Sequence, residues 1–239
     1  MIKYIDSKQN NKVKHACSLK ESKYRKEYKE FLAEGKKTLD LALFCGNVKE
    51  IFTLKEIDNI PSDITQYIVN KEVLDKIALS GSPEGIVFVS SIVERKPKTL
   101  NKVVYLDKVS DPGNVGTIIR TALAFSYDAI ILSDGCCDPY NEKAVSASKG
   151  AIFQLPILHG SLKDFSTGKK VVVSALTDKA IDLEELKLND PFILVLGNEA
   201  SGASKEIIAS ADIVTKIQIA NIDSLNVAVA AGILMNKLR

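Results

Sequence analysis

The sequence predicts an α/β protein of two domains, the second built on a mostly parallel sheet, and three observations carry that prediction. From Val103 onward, short apolar runs alternate regularly with helical patterns, as they do when helices cross over between parallel strands. Within that alternation Pro191–Gly202, PFILVLGNEASG, sends the apolar run Phe192–Leu196 straight into a glycine-bracketed loop with a carboxylate in its middle. A continuous apolar run reads as a strand buried on both faces, and ligands of open α/β sheets sit beyond the carboxyl ends of such strands. Finally, the polar, basic, proline-bearing text RKPKTLNK, which begins at Arg95, separates a domain at 1–95 from one at 103–239, with 96–102 as the linker.

Composition is that of an ordinary globular protein, 46% hydrophobic and 26% charged over 239 residues. The net charge of +2 is too small to mark the whole chain as a nucleic-acid binder, so any RNA-binding surface has to be local. Cys17, Cys45, Cys136 and Cys137 lack metal-ligand spacing and read as reduced thiols of a cytoplasmic protein. The N-terminus has no signal-peptide core, and no run is long and apolar enough to span a bilayer, so no membrane partner is expected.

Taken in order, Ser18–Lys37 carries Tyr24, Tyr28, Phe31 and Leu32 at helical spacing among lysines, which predicts one amphipathic helix with a basic face and Gly35 as its C-cap. A helix LDLALFCG, strands EIFTLKEI and QYIVNK, a helix EVLDKIAL and a strand GIVFVSSIV complete a compact α/β unit ending near Glu94. Past the linker come strand 103–106, turn DPGN, helix 115–125, strand 129–132, a helix over 138–149 and strand 171–176. A short helix near 183–186, strand 192–196, helix 204–211, strand 212–219 and a closing helix 224–238 follow.

Three segments hold residues that suit chemistry. Asn114 stands as a helix cap and Gly116 lets a neighbour approach the first turn. Arg120 is a lone guanidinium in a helix apolar nearly all round, so it either pairs with a structural carboxylate or points into a site. In the last segment Asp223 or Ser224 can cap the final helix, and Asn226 stands in its first turn beside exposed N–H groups. Neither a Ser-His-Asp set, nor a phosphate-binding glycine–lysine loop, nor a GxGxxG fingerprint, nor a metal cluster is present, which weakens nucleotide and NAD readings.

Together the segments Asn114-x-Gly116-x-x-x-Arg120, Leu196-Gly-Asn-Glu199-x-x-Gly202 and Ser224-Leu-Asn226-Val-x-x-Ala resemble, in order, the three motifs of the SpoU/TrmH-type RNA 2′-O-methyltransferases of the SPOUT superfamily. Ser148–Pro156 looks like that family's stretch between its first two motifs, and the resemblance spans roughly Val103 to the C-terminus. More faintly, Arg25 through Glu34-Gly35 and Ser82-Pro-Glu-Gly85 look like an L30e-like RNA-binding domain. The resemblance implies an N-terminal L30e-like α/β domain followed by a C-terminal α/β domain with a trefoil knot, which ordinary connection rules exclude.

It further implies that S-adenosylmethionine is held by Gly197, Ile217 and Leu225, with Leu176 beside them. Arg120 would act on the hydroxyl, Glu199, Ser224 and Asn226 would shape the pocket, and Asn114, Arg25 and Lys36 would meet RNA. The expected partners are structured RNA, ribosomal ahead of transfer, and a second copy of the chain docked through the C-terminal domain; no metal is expected. Gly197→Val is expected to fill ligand space with little loss of fold. One departure from the family stands at Gln218, where proline is usual, in a loop one residue shorter; glutamine restores a backbone N–H and loosens φ. A non-catalytic RNA-binding protein on the same fold is the alternative reading.

Overall fold

The structure is a computed structural model and describes residues 1–80 and 84–239. Ser82 and Pro83 of the expected L30e-like segment lie outside the described residues. The chain divides into two compact units, 1–93 with 140–153, and 94–139 with 154–239.

The first unit opens with strand β1 (Ile2–Ile5) and helix α1 (Asn11–Ser18), whose N-cap Asn10 accepts from Lys12 N. Neither was predicted. Helix α2 (Ser22–Tyr28) and strand β2 (Glu30–Glu34) occupy the stretch expected to be one long helix. The helical spacing of Tyr24 and Tyr28 is real, but Lys29 takes a left-handed φ of 54° and ends the helix. Contiguous Phe31, Leu32 and Ala33 then pair as a strand, because three adjacent apolar residues cannot share one helix face and are buried here against a sheet. Gly35, φ 91°, is therefore the N-cap of helix α3 (Lys36–Phe44) and not a C-cap. Strands β3 (Val48–Thr53) and β4 (Thr65–Val69), helix α4 (Lys71–Ile77), capped by Asn70, and strand β5 (Ile86–Ser91) follow the expected order. Among the described residues the sheet runs β1-β4-β3-β5-β2, parallel on one side and antiparallel around β5.

The second unit starts on strand β6 (Lys102–Leu106) and helix α5 (Pro112–Ala124). Asp111, not Asn114, caps α5: its carboxylate accepts from Asn114 N at 2.8 Å, and Pro112 sits in the first turn where its missing N–H is harmless. Strand β7 (Ala129–Leu132) precedes helix α6 (Glu142–Ser148), which belongs with a 3₁₀ turn at Ala151–Phe153 to the first unit. There Phe153 stacks on Phe31 at 5.7 Å and lies 6.2 Å from Phe88. The chain returns through strand β8 (Ile157–His159) and helix α7 (Leu162–Phe165), both unpredicted, to strand β9 (Lys170–Ser174).

Strand β10 (Ile181–Asp182), a 3₁₀ turn at Leu183–Glu185, strand β11 (Phe192–Leu196), helix α8 (Lys205–Ala209), strand β12 (Ile213–Lys216) and helix α9 (Val227–Lys237) complete it. The seven-stranded sheet, order β10-β12-β9-β11-β6-β7-β8, is parallel throughout. β11 lies near its centre, fully buried, as its unbroken apolar run requires. The expected linker is partly tied down: the Asp128 carboxylate accepts from Thr99 Oγ1 at 2.7 Å and from Asn101 N at 2.6 Å.

Candidate active site

In a parallel sheet every strand ends on the same side, so the loops after β9, β11 and β12 emerge together. They enclose a cleft of about 400 Å³. All four residues expected to hold the cofactor line it, Leu176, Gly197, Ile217 and Leu225, as do Glu199 and Ser224. Asn114, Arg120 and Asn226 do not line it: Asn114 and Arg120 lie on α5, and Asn226 caps α9, whose Val227 and Ala230 do line the cleft.

The loop after β11 is a closed ring. Asn198 and Gly202 exchange backbone hydrogen bonds at 3.0 and 2.9 Å, Gly202 supplying a φ of 68°. The Asn198 side chain accepts from Ala200 N and Ser201 N while its Nδ2 donates to Lys108 O at 2.8 Å, which fastens the loop to the end of β6. Gly197 has to be glycine for this ring: a Cβ there would stand 2.0 Å from Ala203 N and 2.1 Å from the Gly202 carbonyl carbon. The expectation that Gly197→Val leaves the fold nearly intact is corrected accordingly, since the clash is with the loop's own backbone.

Glu199 joins all three segments. Its Oε1 accepts from Asn114 Nδ2 at 3.0 Å and from Asp111 N at 3.2 Å, and its Oε2 from Ser110 N at 3.3 Å. Asn114 Oδ1 in turn accepts from Asn226 Nδ2 at 3.0 Å. Burial pushes the Glu199 carboxyl upward, but donation from Asn114 and from the surrounding backbone N–H groups outweighs it and holds the group below the usual carboxylate range. It is ionised at neutral pH, its lone pairs engaged. Asn226 is the N-cap of α9, accepting from Ala228 N at 2.9 Å and Val229 N at 3.3 Å; the capping role expected of Asp223 or Ser224 is its own.

Arg120 differs from its sequence reading. The helix carries a buried stripe of Val115, Ile118, Ile119 and Ala122, while Thr117 and Arg120 lie exposed on the other side. Arg120 makes no ion pair or hydrogen bond among the described residues, so the structural-carboxylate alternative falls away. With Thr117, Thr121 and Ala124 on its open side, the helix is apolar on one face and not all round. Arg25 is also placed otherwise than expected: it is 4% exposed, and its Nη1 donates to the carbonyls of Leu19 and Lys20 at 2.9 and 2.8 Å. A guanidinium spent on the ends of α1 is a structural clamp, and that corrects its assignment to RNA. Lys36 is exposed and bridges to Asp40 at 2.6 Å across one helical turn.

Sequence reasoning gave no role to Asp107, Ser110, Asp111 or Asn198. Buried Asp107 accepts from Ser204 N at 2.7 Å and so locks the far end of the glycine loop. A carboxylate directly after an all-apolar strand was the available signal. Among the described residues no group of His, Cys, Asp and Glu could hold a metal, and no helix is long and apolar enough to cross a membrane.

Residues 101–236 match the SpoU rRNA Methylase family, and residues 10–87 match the MRM3-like substrate binding domain. The chain belongs to the SpoU rRNA methylase family. It is 34% identical, over the full length of both chains, to the 23S rRNA (guanosine(2553)-2′-O)-methyltransferase RlmP of Bacillus subtilis. The crystal structure of an AdoMet-bound rRNA methyltransferase from Sinorhizobium meliloti superposes with a TM-score of 0.89 at 30% identity, covering 99% of this chain and 97% of that one. The SpoU methyltransferase AviRb of Streptomyces viridochromogenes shares the fold at 22% identity, with a TM-score of 0.84 over 95% of this chain. The family and enzyme class implied by the three motifs are borne out.

The cleft suits S-adenosylmethionine by its own chemistry. Leu176 is 58% exposed at the rim, and half-buried Ile217 and Leu225 face the same space. Apolar surface beside the backbone groups of strand ends is what a nucleobase with a polar edge needs.

Proposed function

We propose that the protein transfers the methyl group of S-adenosylmethionine to a ribose 2′-hydroxyl of structured RNA, the substrate being a guanosine of large-subunit ribosomal RNA. The observation that carries this reading is the chain of hydrogen bonds Glu199–Asn114–Asn226, which ties the three motif segments into one rim beside the cleft. The choice of ribosomal RNA rests on full-length similarity to RlmP.

What S-adenosylmethionine supplies, when bound, is a methyl carbon activated by its sulfonium neighbour. Leu176, Ile217 and Leu225 would hold its apolar parts, and the backbone of the glycine loop its polar edge. The Arg120 guanidinium would stabilise charge growing on the 2′-oxygen and so ease loss of the hydroxyl proton to solvent. Holding the oxygen in line with the methyl carbon can supply up to about 7–11 kcal/mol of the barrier. Glu199, ionised and saturated with donors, keeps the loops in place and is not a base. Asn226 presents the N-terminus of α9 to the site while Ser224 shapes its wall.

In this reading the C-terminal domain is knotted, the protein works in the cytoplasm, and two copies pair through α5 and α9. Support for pairing is the exposure of Val229 (53%) and Ile233 (40%) on α9, which packs on α5. Sedimentation of wild type against Val229→Glu/Ile233→Glu checks it. Incubation with labelled cofactor and ribosomal RNA from cells lacking the gene, followed by mapping of ribose methylation, tests the activity. One 2′-O-methylguanosine in large-subunit RNA is expected; cofactor binding without any such mark would sink the assignment.

A further inference from the structure

At the Glu30 end of β2, one strand length away from Gly35 and Lys36, the first unit carries a ladder of rings. Tyr24 and Tyr28, one helical turn apart on α2, lie nearly parallel (10°) with centroids 6.0 Å apart, and His15 of α1 meets Tyr28 at 4.8 Å. His15 is held from behind, its Nε2 2.6 Å from Glu30 Oε2, whose other oxygen accepts from Lys49 Nζ at 2.5 Å. Lys12 pairs with Glu50 alongside. So the carboxylates that underlie the ladder are neutralised, and the histidine is fixed as a support.

The outer rings face outward. Tyr28 is 41% exposed and Tyr24 half-buried, although a tyrosine ring is large enough to reward full burial. Lys23 Nζ lies 5.5 Å from the Tyr24 centroid, and Lys26 is exposed on the same short helix. Between Lys12 and Lys29, buried Arg25 aside, six lysines stand against two acidic residues, an excess larger than the net +2 of the whole chain. Lysines beside partly exposed rings match a ligand made of phosphates and flat bases, since the flexible Lys23 chain can swing from the Tyr24 ring to a phosphate, whereas an acidic polypeptide would use only the cations.

We propose that Tyr24 and Tyr28, backed by His15, form a stacking platform for unpaired nucleotides of the RNA substrate, distinct from the methyl-transfer site. This rests on the reading of the protein as an RNA methyltransferase and adds a second contact to it. Stacking requires bases out of a helix, so the platform selects single-stranded flanks or loops and not the grooves of a duplex.

The test uses the full-length protein and a 12-nucleotide unstructured oligoribonucleotide, with a blunt duplex of the same sequence as control. Binding is read by the fluorescence anisotropy of a dye on the oligoribonucleotide, a signal that does not depend on the substituted tyrosines. Wild type is expected to prefer the single strand. Tyr24→Leu/Tyr28→Leu, which keeps apolar bulk, should weaken that binding on the order of tenfold or more per ring, while Tyr24→Phe/Tyr28→Phe retains it. Far-UV circular dichroism and melting profiles should match in all three proteins, which shows that the variants are folded, and S-adenosylmethionine affinity should be unchanged because its cleft lies in the second unit. Wild-type affinity in the leucine variant, an equal loss in the phenylalanine variant, preference for the duplex, or competition by polyglutamate as effective as by RNA would each overturn the platform. A protein that binds the oligonucleotide through these rings but methylates no RNA would instead overturn the catalytic assignment and leave the platform standing.

Discussion

The two units put their sequence to use in opposite ways. In the second, all strands run parallel, so the loops that follow them gather at one end, and polar residues that look scattered in the text meet there: Asn114, Glu199 and Asn226 are joined by two hydrogen bonds. In the first, strands run both ways, loops leave at both ends, and no such gathering occurs among the described residues. What that unit offers instead is surface chemistry, a local excess of lysine and rings on short helices. A parallel sheet concentrates chemistry into motifs; a mixed sheet spreads it over a face.

The largest effect that tests this contrast is at Arg120. If the carboxyl end of the parallel sheet is where reaction occurs, Arg120→Ala should cut single-turnover methylation by roughly two to four decades, the size of a positioned charge-stabilising group. Because Arg120 is exposed and has no ion-pair partner among the described residues, melting temperature and cofactor affinity should hardly move. Arg120→Lys should not rescue, since a point charge does not reproduce a planar fork. A near-normal rate in the lysine variant would end the role.

Next is Phe153, 1% exposed, whose ring lies against Phe31 and Phe88 although its sequence neighbours lead into the other unit. Phe153→Ala should cost about 3–5 kcal/mol in denaturant unfolding. A loss below about 1 kcal/mol would mean that 140–153 is an appendage of the first unit and no part of its core.

Gly197→Ala comes third. Its Cβ meets backbone, so the ring of residues 198–203 has to shift; about 1–3 kcal/mol of stability and most of the cofactor affinity should be lost together. Calorimetric titration and melting of the same sample check it, and loss of binding at full stability would restore the view that the glycine merely clears ligand space.

How far all this was legible depends on which forces act locally. Strands Val103–Leu106, Ala129–Leu132 and Phe192–Leu196 are apolar in an unbroken run because helices cover both faces, and their positions follow from the text alone. Edge strands escape notice: β1, IKYI, is mostly exposed, and β8 is three residues long. At residues 30–34 helical spacing continues through Phe31 by coincidence, while the turn at Lys29 leads into pairing of Glu30–Glu34 with Val87–Ser91, residues distant in sequence. The cleft residues were legible as loop residues after strands. Their bonding was not, since Asn114 and Glu199 are 85 residues apart and only the sheet brings them together.

A smaller effect is expected from Glu199→Gln. The folded-state carboxyl sits below its ordinary value of 4.5, so wild type gains stability above the unfolded value and loses it as pH falls through the folded one. The difference in melting temperature between wild type and variant should therefore be present at pH 6–7, by about one to a few degrees given the group's exposure, and shrink below about pH 4.5. A difference independent of pH would show that the carboxylate's charge is not what holds the three segments.

The smallest effect probes the opposite end of the parallel sheet. Tyr127 immediately precedes Asp128 and β7, is 3% exposed, and packs edge-on against Phe192 at 6.0 Å. Its hydroxyl has no hydrogen-bond partner among the described residues, and burial pushes its pKa well up, so it is neutral and unsatisfied. Leaving a buried donor unpaired costs about 1–3 kcal/mol, while removing it with retention of shape is neutral or stabilising. Tyr127→Phe should thus raise the melting temperature by a few degrees at most and leave methylation untouched, because Tyr127 stands at the amino end of the sheet and does not line the cleft. Tyr105→Phe is the control: that hydroxyl donates to Gly160 O at 3.4 Å, and its removal should bring no gain. If Tyr127→Phe is instead destabilised by a degree or more, the hydroxyl is bonded in solution. If it slows methylation, the division between a structural end and a reacting end of this sheet does not hold.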